Sequence, residues 1–219
     1  MRLKLPLILL CLCPFQPAAS AQEVKKEVLD QIRSVSVSIE WNGQCHGSGT
    51  IFDKDGETWC VTANHVVTAA QGRQLRVSQY RSQNRAISVN AEIVRRDKNS
   101  DLALLKLGKG IFGPGARLYK ECCRAEGKPP DLDTPIVHCG SMAGLHHTIT
   151  RGYLVGLDRE MKGVLENGPA LADQADFTGY YGSSGGGVFL TDGQFIGMVY
   201  AGIPQRIVFF VPIRRMKLE

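Results

Sequence analysis

The sequence predicts an all-β fold, a sandwich or a barrel. Three observations carry this. Short runs of branched and aromatic residues recur along most of the chain. Gly- and Asp-rich turn signals separate them. No long segment shows the apolar spacing of a core helix.

The elements follow in order. Met1 to Lys4 carries two cations, Leu5 to Leu12 is a short apolar run, and Ala19-Ser20-Ala21 has a small-x-small cleavage pattern. Residues 1–21 therefore read as a secretory signal peptide, and the mature protein is expected to be secreted or periplasmic. The run falls short of the roughly 20 residues of a bilayer span, so no stable membrane span is expected after cleavage. Cys11 and Cys13 do not follow small residues as a lipidation site requires.

Val24, Val28, Leu29 and Ile32 then fit a short amphipathic helix over 24–33. From Ser34 the period changes to two, with Val35, Val37 and Ile39 alternating with serines. Strands are predicted at 35–40, 46–52, 58–62, 74–80, 87–95, 102–107, 135–139, 147–157, 187–190, 194–201 and 207–211. Turns are marked by Asp53-Lys54-Asp55-Gly56, Asn99-Ser100-Asp101, Gly113-Pro114-Gly115, Gly127-Lys128-Pro129-Pro130 and Thr191-Asp192-Gly193. The stretch 109–134 is rich in Gly, Pro and charge and reads as a connection between two halves. There is no internal repeat.

A length of 219 residues suits one domain or two small lobes, and 43% hydrophobic with 21% charged residues is globular composition. The net charge is +5; loss of residues 1–21 removes Arg2, Lys4 and no acid, leaving +3. So mild an excess makes no case for nucleic acid.

The stretch YYGSSGGGVF, Tyr180 to Phe189, holds six consecutive Gly or Ser residues between aromatic and branched ones. A flexible hairpin turn is the plain reading. The chemical reading is a nucleophile turn. A reactive serine needs an exposed hydroxyl on a held backbone, with N–H groups converging where an oxyanion forms. Glycine suits such a turn. Ser184, directly before Gly185-Gly186, is the candidate nucleophile. A hydroxyl needs a base. Of the five histidines, His65 stands out, at the end of the β run in TWCVTANHVV. The base needs an orienting carboxylate. Asp101, immediately before Leu102-Ala103-Leu104-Leu105, is expected to be partly buried and so to need a partner. The order is His65, Asp101, Ser184, with intervals of 36 and 83 residues. It puts base and acid in the first β half and the nucleophile in the second, with the site between them.

At these residues the chain resembles a trypsin-fold serine peptidase, specifically the protease domain of the HtrA (DegP/DegQ) family. GSGTIFDKDGETWCVTANHVV is similar to that family's Gly-Ser-Gly strand, Asp-Gly turn and Thr-x-Asn-His-Val-Val motif. SDLALLKL resembles its Asp-Leu-Ala-Leu motif. GSMAGLHHTITRGYLVGLDR, GSSGGGVFLTDGQFIGMVYAG and VFFVPI resemble its later segments. The match runs from about Val24 to Ile213.

The resemblance implies two Greek-key β-barrels of the chymotrypsin/trypsin-like fold, with the active site at their interface. The peptidase domain would be 22–219, with one barrel at about 34–108 and the other at about 130–213. It implies a serine endopeptidase acting on polypeptides through an acyl-enzyme, with no cofactor and no catalytic metal. His65 would be base and acid, Asp101 its orienter and Ser184 the nucleophile. The backbone N–H groups of Gly182 and Ser184, with Ser183, would form the oxyanion hole. Gly187, Ser183 and Tyr181 depart from the family's usual Pro, Asn and Pro, which leaves the shape of the oxyanion loop open. A member lacking a PDZ domain is expected, and a homo-oligomer, a trimer formed through residues 22–33, is implied. The alternative is a catalytically silent protease-fold protein that binds extended peptides.

Substrate is expected to pair as a strand with Ile196 to Gly202. The pocket for its P1 residue would be walled by Thr178, Gly179, Tyr180 and Tyr181 on one side and Met198, Val199, Tyr200 and Ala201 on the other. Thr178 stands where basic-specific relatives carry Asp, so small or medium apolar P1 residues are expected, with Asp176 nearby as the competing influence.

Five cysteines remain after cleavage: Cys45, Cys60, Cys122, Cys123 and Cys139. In an oxidising compartment a Cys45–Cys60 disulfide is expected across the 53–56 hairpin, and Cys139 is expected to pair with Cys122 or Cys123. A competing reading gathers Cys122, Cys123, His138, Cys139, His146 and His147 into a zinc site, without a standard spacing to support it.

Overall fold

The computed structural model describes residues 23–82, 85–118, 128–162, 168–203 and 206–218. The signal-peptide segment, Cys122 and Cys123 lie outside them.

The chain opens with helix α1 (Lys26–Val35), which buries Ile32 and Val35. Glu27 in its first turn and Arg33 in its last complement the helix dipole. Seven strands follow: β1 (Ser36–Trp41), β2 (Gln44–Lys54), β3 (Glu57–Ala63), β4 (Arg76–Ser82), β5 (Arg85–Asn90), β6 (Glu92–Asp97) and β7 (Leu102–Gly108), with helix α2 (Asn64–Ala69) between β3 and β4. They form one sheet in the order β5-β4-β1-β2-β3-β7-β6, curled into a half-barrel. The second set is β8 (Pro135–Met142), β9 (Leu145–Glu160), β10 (Leu171–Asp176), β11 (Gly187–Leu190), β12 (Phe195–Ile203) and β13 (Ile207–Pro212). These close a barrel in the order β10-β13-β12-β11-β8-β9. The all-β, two-barrel expectation of the sequence is met.

Several elements differ from the sequence reading. The single strand expected over 87–95 is two strands on opposite edges of the sheet: β5 pairs with β4 and β6 with β7. Ala91 breaks the run by donating its N–H to the Leu75 carbonyl. Strand β10 was not anticipated, because LADQAD has little β propensity of its own. It is held by β9 on one side and β13 on the other. In β1 the serines that alternate with the apolar residues are buried as well, since both faces are covered. Ser38 Oγ hydrogen-bonds Ser141 Oγ at 2.6 Å and His146 Nδ1 at 2.7 Å, so the β8–β9 hairpin caps that face.

Both ends of the described chain cross to the opposite half. Helix α1 lies against the turn before β12, where a Cβ on Gly193 would sit 3.3 Å from Val28 and from Gln31. At the other end Arg95 donates to the Met216 and Lys217 carbonyls, both at 2.6 Å, and Lys54 to that of Leu218 at 3.1 Å. Arg214 makes a paired contact with the buried Asp173 carboxylate at 2.7 and 2.6 Å and reaches Asp158 at 2.9 Å.

Cys45, Cys60 and Cys139 are free thiols, so the two expected disulfides involving them are absent. The register gives the reason for the first. Cys60 stands opposite Ile51, six residues along β2 from Cys45. That is about 20 Å, far beyond the roughly 7 Å limit between bridged Cα atoms. Cys139 is buried on β8 in the hydrophobic core.

Candidate active site

Strand β3 ends at Ala63 and the chain turns at once into α2, so His65 sits in the first helical turn rather than on the strand end that its sequence suggests. Asp101 occupies the turn before β7, 4% exposed and at a φ of +48° that non-glycine residues rarely take. Its Oδ2 lies 2.6 Å from His65 Nδ1, its Oδ1 accepts the His65 backbone N–H at 2.8 Å, and its carbonyl accepts the Asn64 N–H at 2.9 Å. A carboxylate only accepts, so Nδ1 carries the proton and Nε2 is left with its lone pair. Arg96 secures the helix from outside, donating to Asn64 Oδ1 at 2.9 Å and to the Thr68 hydroxyl. Tyr200 is buried beside this acid. Burial first, and the Asp101 charge second, push its hydroxyl up to about 12.

The Gly-rich run is a rigid turn. Gly182 and Gly185 have φ of +89° and +85°. A Cβ on Gly185 would lie 2.0 Å from the Ser48 carbonyl and 2.4 Å from the Thr62 hydroxyl, so no other residue fits. This contact sets the turn against the end of β3, close to His65. Gly185 N–H donates to the Val199 carbonyl at 2.8 Å, and the Ser184 carbonyl accepts the Ser48 N–H at 2.8 Å. The Ser48 hydroxyl donates to the Gly182 carbonyl at 2.5 Å and accepts the Ser141 N–H at 2.7 Å.

The orientation of the loop follows from one bond. The Tyr181 carbonyl accepts the Ala143 N–H at 2.7 Å. In a trans peptide the next N–H points the opposite way. Gly182 N–H therefore points away from Ala143, and neither it nor Ser184 N–H has a hydrogen-bond partner among the described residues. The Ser183 N–H is different: it donates to the Tyr180 carbonyl at 2.9 Å and is not free to receive another acceptor. No hydrogen bond joins the Ser184 hydroxyl to His65 among the described residues.

Beside Ser184 lies a cavity of about 710 Å³. Of the residues expected to wall it, Thr178, Gly179, Tyr180, Tyr181, Val199 and Ala201 do. Met198 and Tyr200 do not: they project from the other face of β12 into the larger core cluster, while Val199 belongs to the smaller one. Gly202, Ile203, Arg206 and Val208 complete the wall.

The model of the trypsin-like peptidase domain family matches residues 47–198. The chain belongs to this family. It is 31% identical over 172 residues to the serine protease Do-like HtrA of Bacillus subtilis, covering 75% of this chain and 35% of that protein. It is 27% identical over 183 residues to a serine protease HtrA-like protein of Staphylococcus aureus strain USA300, covering 78% of this chain and 22% of that one. The chain thus spans about a third or less of these curated relatives. Its fold resembles that of Rv3671c from Mycobacterium tuberculosis, solved as an inactive serine-to-alanine mutant, with a TM-score of 0.67, 18% identity and 90% of each chain covered.

In this trypsin-like domain the histidines of the zinc reading are engaged separately. His138 is fully buried, its Nδ1 3.0 Å from the Gly187 carbonyl and its ring stacked on Phe177. His146 holds Ser38, and His147 Nε2 meets the Ser36 carbonyl at 3.3 Å. No three His, Cys, Asp or Glu residues come together as a metal site among the described residues. The sequence reading of the peptidase domain missed Ser48, Ser141 and Arg206. Ser48 had a signal in its place between Gly47 and Gly49, where β2 passes the nucleophile turn.

Proposed function

We propose that this peptidase domain is a serine endopeptidase that cleaves polypeptides through an acyl-enzyme. The observation that carries the reading is the double hold of Asp101 on His65, by ring and by backbone. It fixes the tautomer whose Nε2 can take a proton. Ser184 Oγ attacks the substrate carbonyl and passes its proton to His65 Nε2. The Asp101 carboxylate stabilises the imidazolium, and the Gly182 and Ser184 N–H groups receive the oxyanion. The imidazolium then protonates the leaving amine. Water, deprotonated by His65, hydrolyses the acyl-enzyme and restores Ser184 Oγ–H.

The reading extends to export: residues 1–21 act as a signal peptide, and residues 22–219 work in a secreted or periplasmic setting. No helix among the described residues is long and apolar enough to cross a membrane.

Intact-mass labelling with a fluorophosphonate tests the chemistry. One adduct on the wild type, absent from Ser184→Ala, is the expected result. Folded wild type that takes no adduct across a range of pH would instead favour the silent, peptide-holding alternative.

A further inference from the structure

Arg206 is the one formally charged side chain in the described wall of the cavity beside Ser184. The rest of that wall is uncharged, with Tyr180 and Tyr181 beside small and branched residues. A Cβ on Gly179 would meet Val208 at 2.9 Å, which closes one side. A Cβ on Gly202 would find nothing nearer than the Ile207 carbonyl at 3.6 Å. No packing demands glycine there, and its missing side chain leaves the mouth open to a long substrate side chain.

Arg206 is anchored from behind. Its Nε donates to Asp176 Oδ1 at 2.7 Å and its Nη2 to the Asp176 carbonyl at 3.3 Å. Nη1 makes no hydrogen bond among the described residues. Asp176 ends β10 and does not line the cavity.

We infer that the cavity selects a carboxylate-bearing P1 side chain, glutamate or aspartate, and that Arg206 determines this specificity. The inference rests on Ser184 being the nucleophile that places P1 here. A Lys or Arg side chain would bring a second cation beside Arg206, while the nearby acid is already engaged. An apolar side chain would fill the walls but strip water from the guanidinium without replacing its bonds. A carboxylate does both, its stem against Val199 and Val208 and its oxygens on Nη1 and Nη2. The chain already shows one guanidinium serving two carboxylates, in Arg214 with Asp173 and Asp158. The apolar P1 expected from Thr178 gives way on this count.

The test uses peptides identical but for Glu, Asp, Gln, Val or Arg at P1. Glu should exceed its isostere Gln by about tenfold in kcat/KM, with Arg slowest, and the Glu/Gln ratio should fall as salt rises. Arg206→Gln should bring the ratio to about one, and Arg206→Lys should keep part of it. The same peptides are titrated onto Ser184→Ala by fluorescence anisotropy, which needs no chemistry. Tighter binding of the Glu peptide there, lost when Arg206→Gln is added, supports the inference even if fluorophosphonate labelling fails. Val or Gln equal to Glu in both assays, or a ratio that survives Arg206→Gln, overturns it and leaves the peptidase reading standing.

Discussion

Ser48 and Gly182 meet across the two halves of the molecule, the Ser48 hydroxyl donating to the Gly182 carbonyl at 2.5 Å while it receives the Ser141 N–H. One hydroxyl from the first sheet thus fixes the peptide that follows Gly182 and the hairpin wall beside it. Ser48→Ala should leave a half-buried carbonyl and a buried N–H unpaired, the buried one at about 1–3 kcal/mol. The expected outcome is a loss of roughly 10- to 100-fold in kcat with KM little changed, measured beside the fluorophosphonate labelling rate. Thermal unfolding on the same samples separates this from a loss of fold.

Asp101→Asn tests the tautomer. The amide can donate as well as accept, so the ring can take the other tautomer, with Nδ1 accepting from the amide and Nε2–H turned to Ser184. A fall of about 10⁴-fold in kcat is expected, with far-UV circular dichroism unchanged. A variant within a few-fold of wild type would remove Asp101 from the mechanism.

His138 predicts an acid-side loss of stability. Burial holds its imidazole neutral and lowers its pKa from 6.5 to about 4, with the Gly187 carbonyl opposing. The unfolded chain therefore binds a proton in that interval that the folded chain refuses. This stability is fully present above pH 6.5 and is lost as pH falls toward 4. The magnitude is on the order of 3 kcal/mol. Urea unfolding at pH 7.5, 5.5 and 4.5 should show the slope, and His138→Leu should flatten it.

The free thiols make a redox prediction. Cys45 and Cys60 do not bridge, so wild type and the Cys45→Ser/Cys60→Ser variant should respond identically to dithiothreitol in their melting temperatures. A reductant-dependent drop confined to wild type would mean that the bridge forms.

What was legible in the sequence depended on how local the signal was. Strands with branched, alternating residues, such as Leu102–Gly108 and Ile207–Pro212, could be read directly. Strand β10 could not, because its neighbours and not its residues make it a strand. His65, Asp101 and Ser184 became candidates because each stands beside an unusual local pattern, and the structure joins the first two by hydrogen bonds. Met198 and Tyr200 were misplaced because a two-residue period gives the alternation but not which side faces the cavity. Arg206 carried no signal: an arginine in a turn looks like solvent-facing charge until Asp176, thirty residues earlier, is seen to hold it.

The crossed termini bear on the order in which the molecule can be made. Arg95 and Lys54 of the first sheet close on carbonyls of residues 216–218, about a hundred residues beyond β7. A nascent chain that has just finished β7 holds the first sheet without its clasp. The first sheet can gain these bonds only after residues 216–218 have been made, so its closure waits on the last segment of the chain.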